Sequence, residues 1–161
     1  MKKIILVNLI VALGLISCQK EKIQGEIKND PEFAEELRSS PENIIVGNNK
    51  LILTTFLYRD FMPNAEKNGS KMYCSNELTD TDSLPISTHI ILKKQYVIKG
   101  DEIWTAEYNK ISSDVDYILN GTVSDGPKWG PEIEVDVVCE FEYLGLTKRI
   151  LAKSQYIYKT S

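Results

Sequence analysis

Between residues 133 and 142 the chain sets Ile133, Val135, Val137, Cys139 and Phe141 against Glu134, Asp136, Glu140 and Glu142, with Val138 alone breaking the alternation. Side chains two apart share one face of a strand and not of a helix, so this stretch buries its apolar set only as a half-buried β-strand. A partner strand follows after Leu144-Gly145. Pairing Tyr143 with Leu146 sets Cys139 opposite Ile150 and Val137 opposite Ala152 inside, with Glu140 opposite Arg149 and Asp136 opposite Lys153 outside. A slip of one residue would carry Arg149 and Lys153 to the core face, and the cost of burying charge selects the first register. A two-residue loop puts Leu144 at positive φ; a four-residue loop over 143–146 keeps the same parity.

The same texture runs on both sides of this hairpin. From Pro41 onward, short β-branched and aromatic runs are broken by turn residues, with no long helical period. Strands are predicted at 44–46, 50–58, 71–75, 90–98, 102–108, 116–123, 132–143 and 147–158. Gly100-Asp101 suits a type II′ turn that places Val97 opposite Trp104. Ahead of the strands, Asp30-Pro31 reads as an N-cap and first helical residue for a short helix over 32–38. Residues 19–29, polar and without a period, read as a flexible tether. The chain is therefore expected to be all-β: a single antiparallel β-sandwich of seven or eight strands with a short N-terminal helix, a closed β-barrel being the alternative. The separation of Cys74 and Cys139 is similar to that of the cysteines joining the two sheets of immunoglobulin domains. Trp104 lies too far beyond Cys74, however, and Val137 stands where the corner tyrosine belongs, so the immunoglobulin-like shape is an analogy only.

The N-terminus carries a different signal. Met1-Lys2-Lys3 precedes an apolar run from 4 to 16 broken by Asn8, then Ser17-Cys18. This is the layout of a secretory signal, and the run is shorter than the roughly 20 apolar residues that span a bilayer core. Leu15-Ile16-Ser17-Cys18 resembles the lipobox of bacterial lipoprotein precursors. That resemblance implies cleavage before Cys18, lipidation of Cys18 and attachment to a membrane through the acyl chains. The charged stretch Gln19-Lys20-Glu21-Lys22 resembles the export tags that send some lipoproteins to the outer face of the outer membrane, the periplasmic face being the alternative. The expected organisation is signal peptide 1–17; lipidated cysteine, tether and helix 18–42; and sandwich domain 43–161.

The full chain has a formal charge of −4, and losing Lys2 and Lys3 with the signal makes it −6. Such a chain repels polyanions, which argues against nucleic acid as a partner. Export permits disulfides, so Cys74 and Cys139 either bond to each other or stay as buried reduced thiols.

Catalytic and metal motifs are missing from the sequence. His89 is the only histidine and has no nucleophile or acid at a telling spacing. There is no CxxC or HExxH, so neither a metal nor another cofactor is expected. Asp80, Asp82 and Ser83 offer oxygens for Ca²⁺ but lack the glycine turn and the later glutamate of a calcium loop. Glu134, Asp136, Glu140 and Glu142 share a face at glycosidase-like spacing, yet two of them have cationic partners in the chosen register. Two segments remain as contact candidates: Arg59 and Phe61 after the 50–58 strand, and Lys128 and Trp129 in the stiff loop 126–131. Trp129 is either an exposed anchor or a plug for the open end of the core. The expected function is that of a non-catalytic, lipid-anchored envelope protein binding an unknown protein or glycan. The alternatives are an envelope inhibitor or immunity protein against a secreted enzyme, and a glycan or peptide hydrolase.

Overall fold

The strands form because β-branched and aromatic residues alternate with polar ones between turn residues; a computed structural model describes residues 23–160. The elements are β1 (Glu26–Asn29), α1 (Pro31–Arg38), β2 (Asn43–Val46), β3 (Asn49–Asp60), β4 (Met72–Asp80), β5 (Ile90–Lys99), β6 (Glu102–Glu107), β7 (Lys110–Ser112), β8 (Ile118–Gly126), β9 (Glu134–Tyr143) and β10 (Leu146–Thr160). The architecture is all-β with one short helix. The strands make one curled sheet in the order β1-β6-β5-β9-β10-β3-β4-β8-β7, with β2 added beside β3. All eight predicted strands are present. β1 and β7 are additional, since β1 is exposed along its whole length and β7 has only three residues. The tether expected over 19–29 is thus corrected: residues 26–29 pair with β6, Glu26 opposite Thr105 and Asn29 opposite Glu102.

Both predicted hairpin registers are found. Val97 faces Trp104, Tyr143 faces Leu146, Cys139 faces Ile150 and Glu140 faces Arg149. The tight loop carries Leu144 at φ 49° and Gly145 at φ 78°. The expected Asp136–Lys153 pair is not made, because β10 bulges between Ala152 and Gln155, with Ser154 at φ 51°. Asp136 instead accepts from Ser154 N at 3.0 Å and from Arg38 at 2.8 Å, while Lys153 meets Glu42 at 2.8 Å. Beyond the bulge, β10 keeps two more pairs with β9, Gln155 opposite Val135 and Tyr156 opposite Glu134, and then pairs parallel with β3, Ile157 opposite Leu57 and Tyr158 opposite Tyr58.

Side chains from both halves of the curl share the core. Leu57, Met72, Cys74, Val123 and Ile157 pack with Val97, Trp104, Val135, Val137 and Trp129, and Leu51, Leu53 and Leu78 pack with Leu92, Phe141 and Ile150. Two glycines of β8 make room for aromatic rings. A Cβ on Gly126 would lie 2.5 Å from the Trp104 ring, and one on Gly121 would lie 2.5 Å from the Tyr108 ring.

The outer face of β9 and β10, where the charged pairs were placed outside, is covered by α1 together with the adjoining face of β5 and β6. Asp30 caps the helix by accepting from Phe33 N at 3.1 Å, and Pro31 opens it. Ala34 and Leu37 then bury against Tyr96, Ile98, Ile103, Val138 and Leu151. Arg38 fastens the last turn to Asp136 and to Gly100 O. These contacts explain the breaks in alternation at Tyr96-Val97-Ile98 and Val137-Val138, where the strands are buried on both faces. Leu37→Ala should therefore destabilise the protein by about 3 kcal/mol through the cavity it opens under the helix, as measured by urea denaturation; a change within experimental error would mean that the helix does not seal this face.

Candidate functional site

The four predicted contact residues do converge, but as a closed end of the core. Arg59 is buried, and its guanidinium donates to the carbonyls of Asn68, Ser70, Lys128 and Gly130 while lying 4.9 Å from the centre of the Phe61 ring. It ties the loop after β3 to the loop before β9. Lys128 pairs with Glu66 at 3.0 Å. Trp129 is 9% exposed and belongs to the core cluster, with Lys99 Nζ 5.0 Å from its ring centre. Of the two readings of Trp129, the plug is the one observed, and Phe61 is half-buried beside Arg59. The loop is stiff because Arg59 holds it shut.

The two cysteines also lie in the core. Cys74 and Cys139 stand as two buried free thiols rather than a disulfide. They belong to separate apolar clusters, bridged by a buried polar chain: Cys74 Sγ donates to Asn76, Asn76 donates to Gln95 Oε1 at 2.7 Å and to Tyr108 at 3.2 Å, and Tyr108 donates to Cys139 Sγ at 3.1 Å. Burial pushes the Cys74 thiol and the Tyr108 phenol upward and the Cys139 thiol up to about 12, so none is a nucleophile near neutral pH.

Asp80, one of the three residues that offer oxygens for Ca²⁺, is buried. It accepts from Asn49 Nδ2 and Lys50 N on one oxygen and from Asp82 N and Leu84 N on the other, fastening the turn after β4 onto the β2–β3 hairpin. Burial alone would raise its carboxyl, but these donors outweigh it and hold the group below the usual range. Asp82 pairs with Lys50 at 2.6 Å. Among the described residues no group of three or more His, Cys, Asp or Glu is placed to hold a metal ion. His89 is exposed. A cleft of about 530 Å³ lies between Gly47, Asn49, Pro85 and Tyr143, but the Asn49 amide is already spent on Asp80, Pro85 O and Ser87 N.

On β9 three of the four acidic side chains have partners, and Glu134 is exposed. Glu142 meets Lys93 at 3.0 Å and Asp136 meets Arg38. Glu140 is buried under the edge of α1, where it accepts from Arg149 and from Tyr96 OH, each at 2.9 Å, with Lys94 at 3.5 Å. Burial pushes its carboxyl up, and Arg149, Tyr96 and Lys94 together pull it below its ordinary value of 4.5.

What the contact search missed is an aromatic row on the outer face of β10, β3 and β4. Leu57 and Ile157 face each other and point inward, so Phe56, Tyr58, Tyr156 and Tyr158 point outward, and Tyr73 of β4 stands opposite Tyr58. The rings touch in succession: Tyr156–Tyr158 at 5.2 Å, Tyr158–Phe56 at 5.6 Å, Phe56–Tyr58 at 5.5 Å and Tyr58–Tyr73 at 5.1 Å between centroids. Phe56 and Tyr158 are each 48% exposed and Tyr156 is 39% exposed. The signal available in the sequence was the pair of Phe-x-Tyr and Tyr-x-Tyr spacings with an aliphatic residue between. Cys18 lies outside the described residues. No described helix is long and apolar enough to cross a membrane. No protein-family model, curated protein or solved structure matches the chain.

Two outcomes follow from this geometry. Trp129→Ala in a Trp104→Phe background should cost about 3 to 5 kcal/mol of stability, and Trp129 emission in the unmutated loop should be blue-shifted and shielded from acrylamide; a red-shifted, freely quenched indole would contradict the plug. Glu140 has a folded-state pKa below its unfolded value, so its contribution to stability is present above about pH 4.5 and is lost as pH falls through the folded value. Glu140→Gln should accordingly flatten the acid limb of the stability–pH profile below the ordinary carboxyl value of 4.5, read by denaturation midpoints at each pH; an unchanged limb would show that other carboxyls carry it.

Proposed function

We propose that the chain is a non-catalytic, lipid-anchored envelope protein that holds a partner on the aromatic row. The observation that carries this reading is the row itself. Five rings in contact on a solvent-facing sheet form an apolar patch that a folded chain gains little from leaving uncovered. Cross-strand ring pairs stabilise a sheet by about 0.2–1 kcal/mol each, and that gain does not require rings as exposed as Phe56 and Tyr158. The anchor rests on the lipobox-like Leu15-Ile16-Ser17-Cys18, with the outer membrane as its membrane and the outer face favoured by the charged stretch after Cys18. The scaffold is best read as a sandwich-like curl, supported by the position of β1 and β7 at the two ends of the strand order. The hydrolase reading loses its carboxylate pair to the partners of Asp136, Glu140 and Glu142.

The two parts of the proposal separate experimentally. Cys18→Ala should abolish acyl labelling and release the protein from membrane fractions; pelleting that persists through a salt wash would remove the anchor. In the released form, Phe56→Ala with Tyr158→Ala should weaken retention on isolated envelope material by about tenfold or more, as expected when central aromatic contacts are truncated. Equal retention of the two forms would remove the row as the contact surface.

A further inference from the structure

We infer that the partner held on the aromatic face of β10, β3 and β4 is a second copy of this chain, packed face to face, an assignment that rests on the binding reading above. The register sets the shape of the face. Tyr158, Tyr58 and Tyr73 stand side by side on the three strands, and Tyr156, Phe56 and Ser75 form a second level two residues away. Between these levels Ile157, Leu57 and Cys74 point into the core. The patch is therefore compact, three strands wide and two outward levels deep, which is a shape that another sheet can cover.

Charge selects the occupant. Lys71 and Glu77 are the charged residues on the outward side of β4, and each stands three residues from Cys74, in opposite directions. Six residues of strand set them about 20 Å apart, too far to pair within one chain. A two-fold axis laid along Ile157, Leu57 and Cys74, in the plane of contact, runs the strands of two copies antiparallel and keeps each strand over its counterpart. Tyr58 then meets Phe56 of the second copy, Tyr158 meets Tyr156, and Tyr73 meets Ser75. Lys71 meets Glu77 twice, once on each side of the axis. Such self-complementarity is what an isologous contact requires.

The surroundings agree with this arrangement. Asp60, beside Lys71, has its carboxylate taken up by Thr160 and Met62 N and falls on Thr54. Lys71 lies 3.9 Å from Asp125 and Glu77 lies 3.5 Å from Asn120, so both charges sit at the polar border of the rings. Glu132 and Glu134 are exposed beyond β10, at the rim, where water and salt screen them. A hydrocarbon layer, by contrast, would strip water from Glu77 and offer it no cation. Lipid on Cys18, as proposed above, confines both copies to one surface and raises their effective concentration, which suits a contact of this size.

The test is sedimentation equilibrium of the mature chain carrying Cys18→Ala, from about 1 µM to about 1 mM. The expected result is a monomer–dimer equilibrium whose dissociation constant rises about tenfold or more with Phe56→Ala plus Tyr158→Ala, with Lys71→Glu and with Glu77→Lys. The Lys71→Glu and Glu77→Lys forms, mixed in equal amounts, should bind each other more tightly than either binds itself. A chain carrying both substitutions, at unchanged net charge, should dimerise again. Circular dichroism and a denaturation midpoint confirm that each form is folded. A monomer over the whole range overturns the inference, as does a dimer that ignores the rings or that the charge exchange fails to restore. If the chain stays monomeric yet shows ring-dependent retention on envelope material from cells that lack it, the second-copy assignment fails and the binding reading stands. If it stays monomeric and retention ignores the rings, both fail.

Discussion

The sheet holds together because β10 changes partners. Its first part pairs with β9 and its last residues pair with β3, and the strand order contains no other ladder joining β1, β6, β5 and β9 to β3, β4, β8 and β7. The bulge at Ser154 makes the transfer possible: an extra residue bends the strand and increases its local twist. Asp136 takes up the amide freed there. The consequence reaches the surface. Without the crossing, Tyr156 and Tyr158 would not stand beside Phe56 and Tyr58, and the aromatic row would be divided between two unconnected halves.

Where an element announces itself by burying one face, it was legible. Register around β9 and β10 followed from keeping Arg149 out of the core, and the β5–β6 register followed from a glycine turn. The N-cap of α1 was legible because Asp30-Pro31 is a local signal. What the helix covers was not, since Val138, Leu151, Tyr96 and Ile98 lie on strands whose period had already been assigned to one core. A second apolar layer shows in sequence only as interruptions of that period. β1 left no trace at all: its four residues are exposed, and its pairing depends on backbone hydrogen bonds to β6 rather than on side-chain burial.

The candidate site was the hardest part to read, for a related reason. In Phe56-Leu57-Tyr58 and Tyr156-Ile157-Tyr158 both alternating sets are apolar, so periodicity cannot say which set faces solvent. The parallel pairing of Leu57 with Ile157 decides it, and parallel pairing between segments a hundred residues apart has no local sequence signal. For Arg59, Phe61, Lys128 and Trp129 the difficulty ran the other way. Their clustering was anticipated, but a buried guanidinium that satisfies four carbonyls turns an apparent anchor into a latch.

The two glycines of β8 bear on how relatives of this chain would be recognised. Gly126 faces the Trp104 ring and Gly121 faces the Tyr108 ring so closely that any side chain would have to displace an aromatic from the core. Trp104 and Tyr108 are four residues apart and their glycines five, so each change on one segment demands a compensating change on the other. A tryptophan and tyrosine four apart, matched downstream by glycines five apart, is therefore a two-part pattern that drift can erase only by altering both parts together. Strands such as β1, which bury nothing, are free to diverge, and a lipobox marks a destination shared by unrelated domains. Kinship to this fold is best sought in the spacing of those four residues.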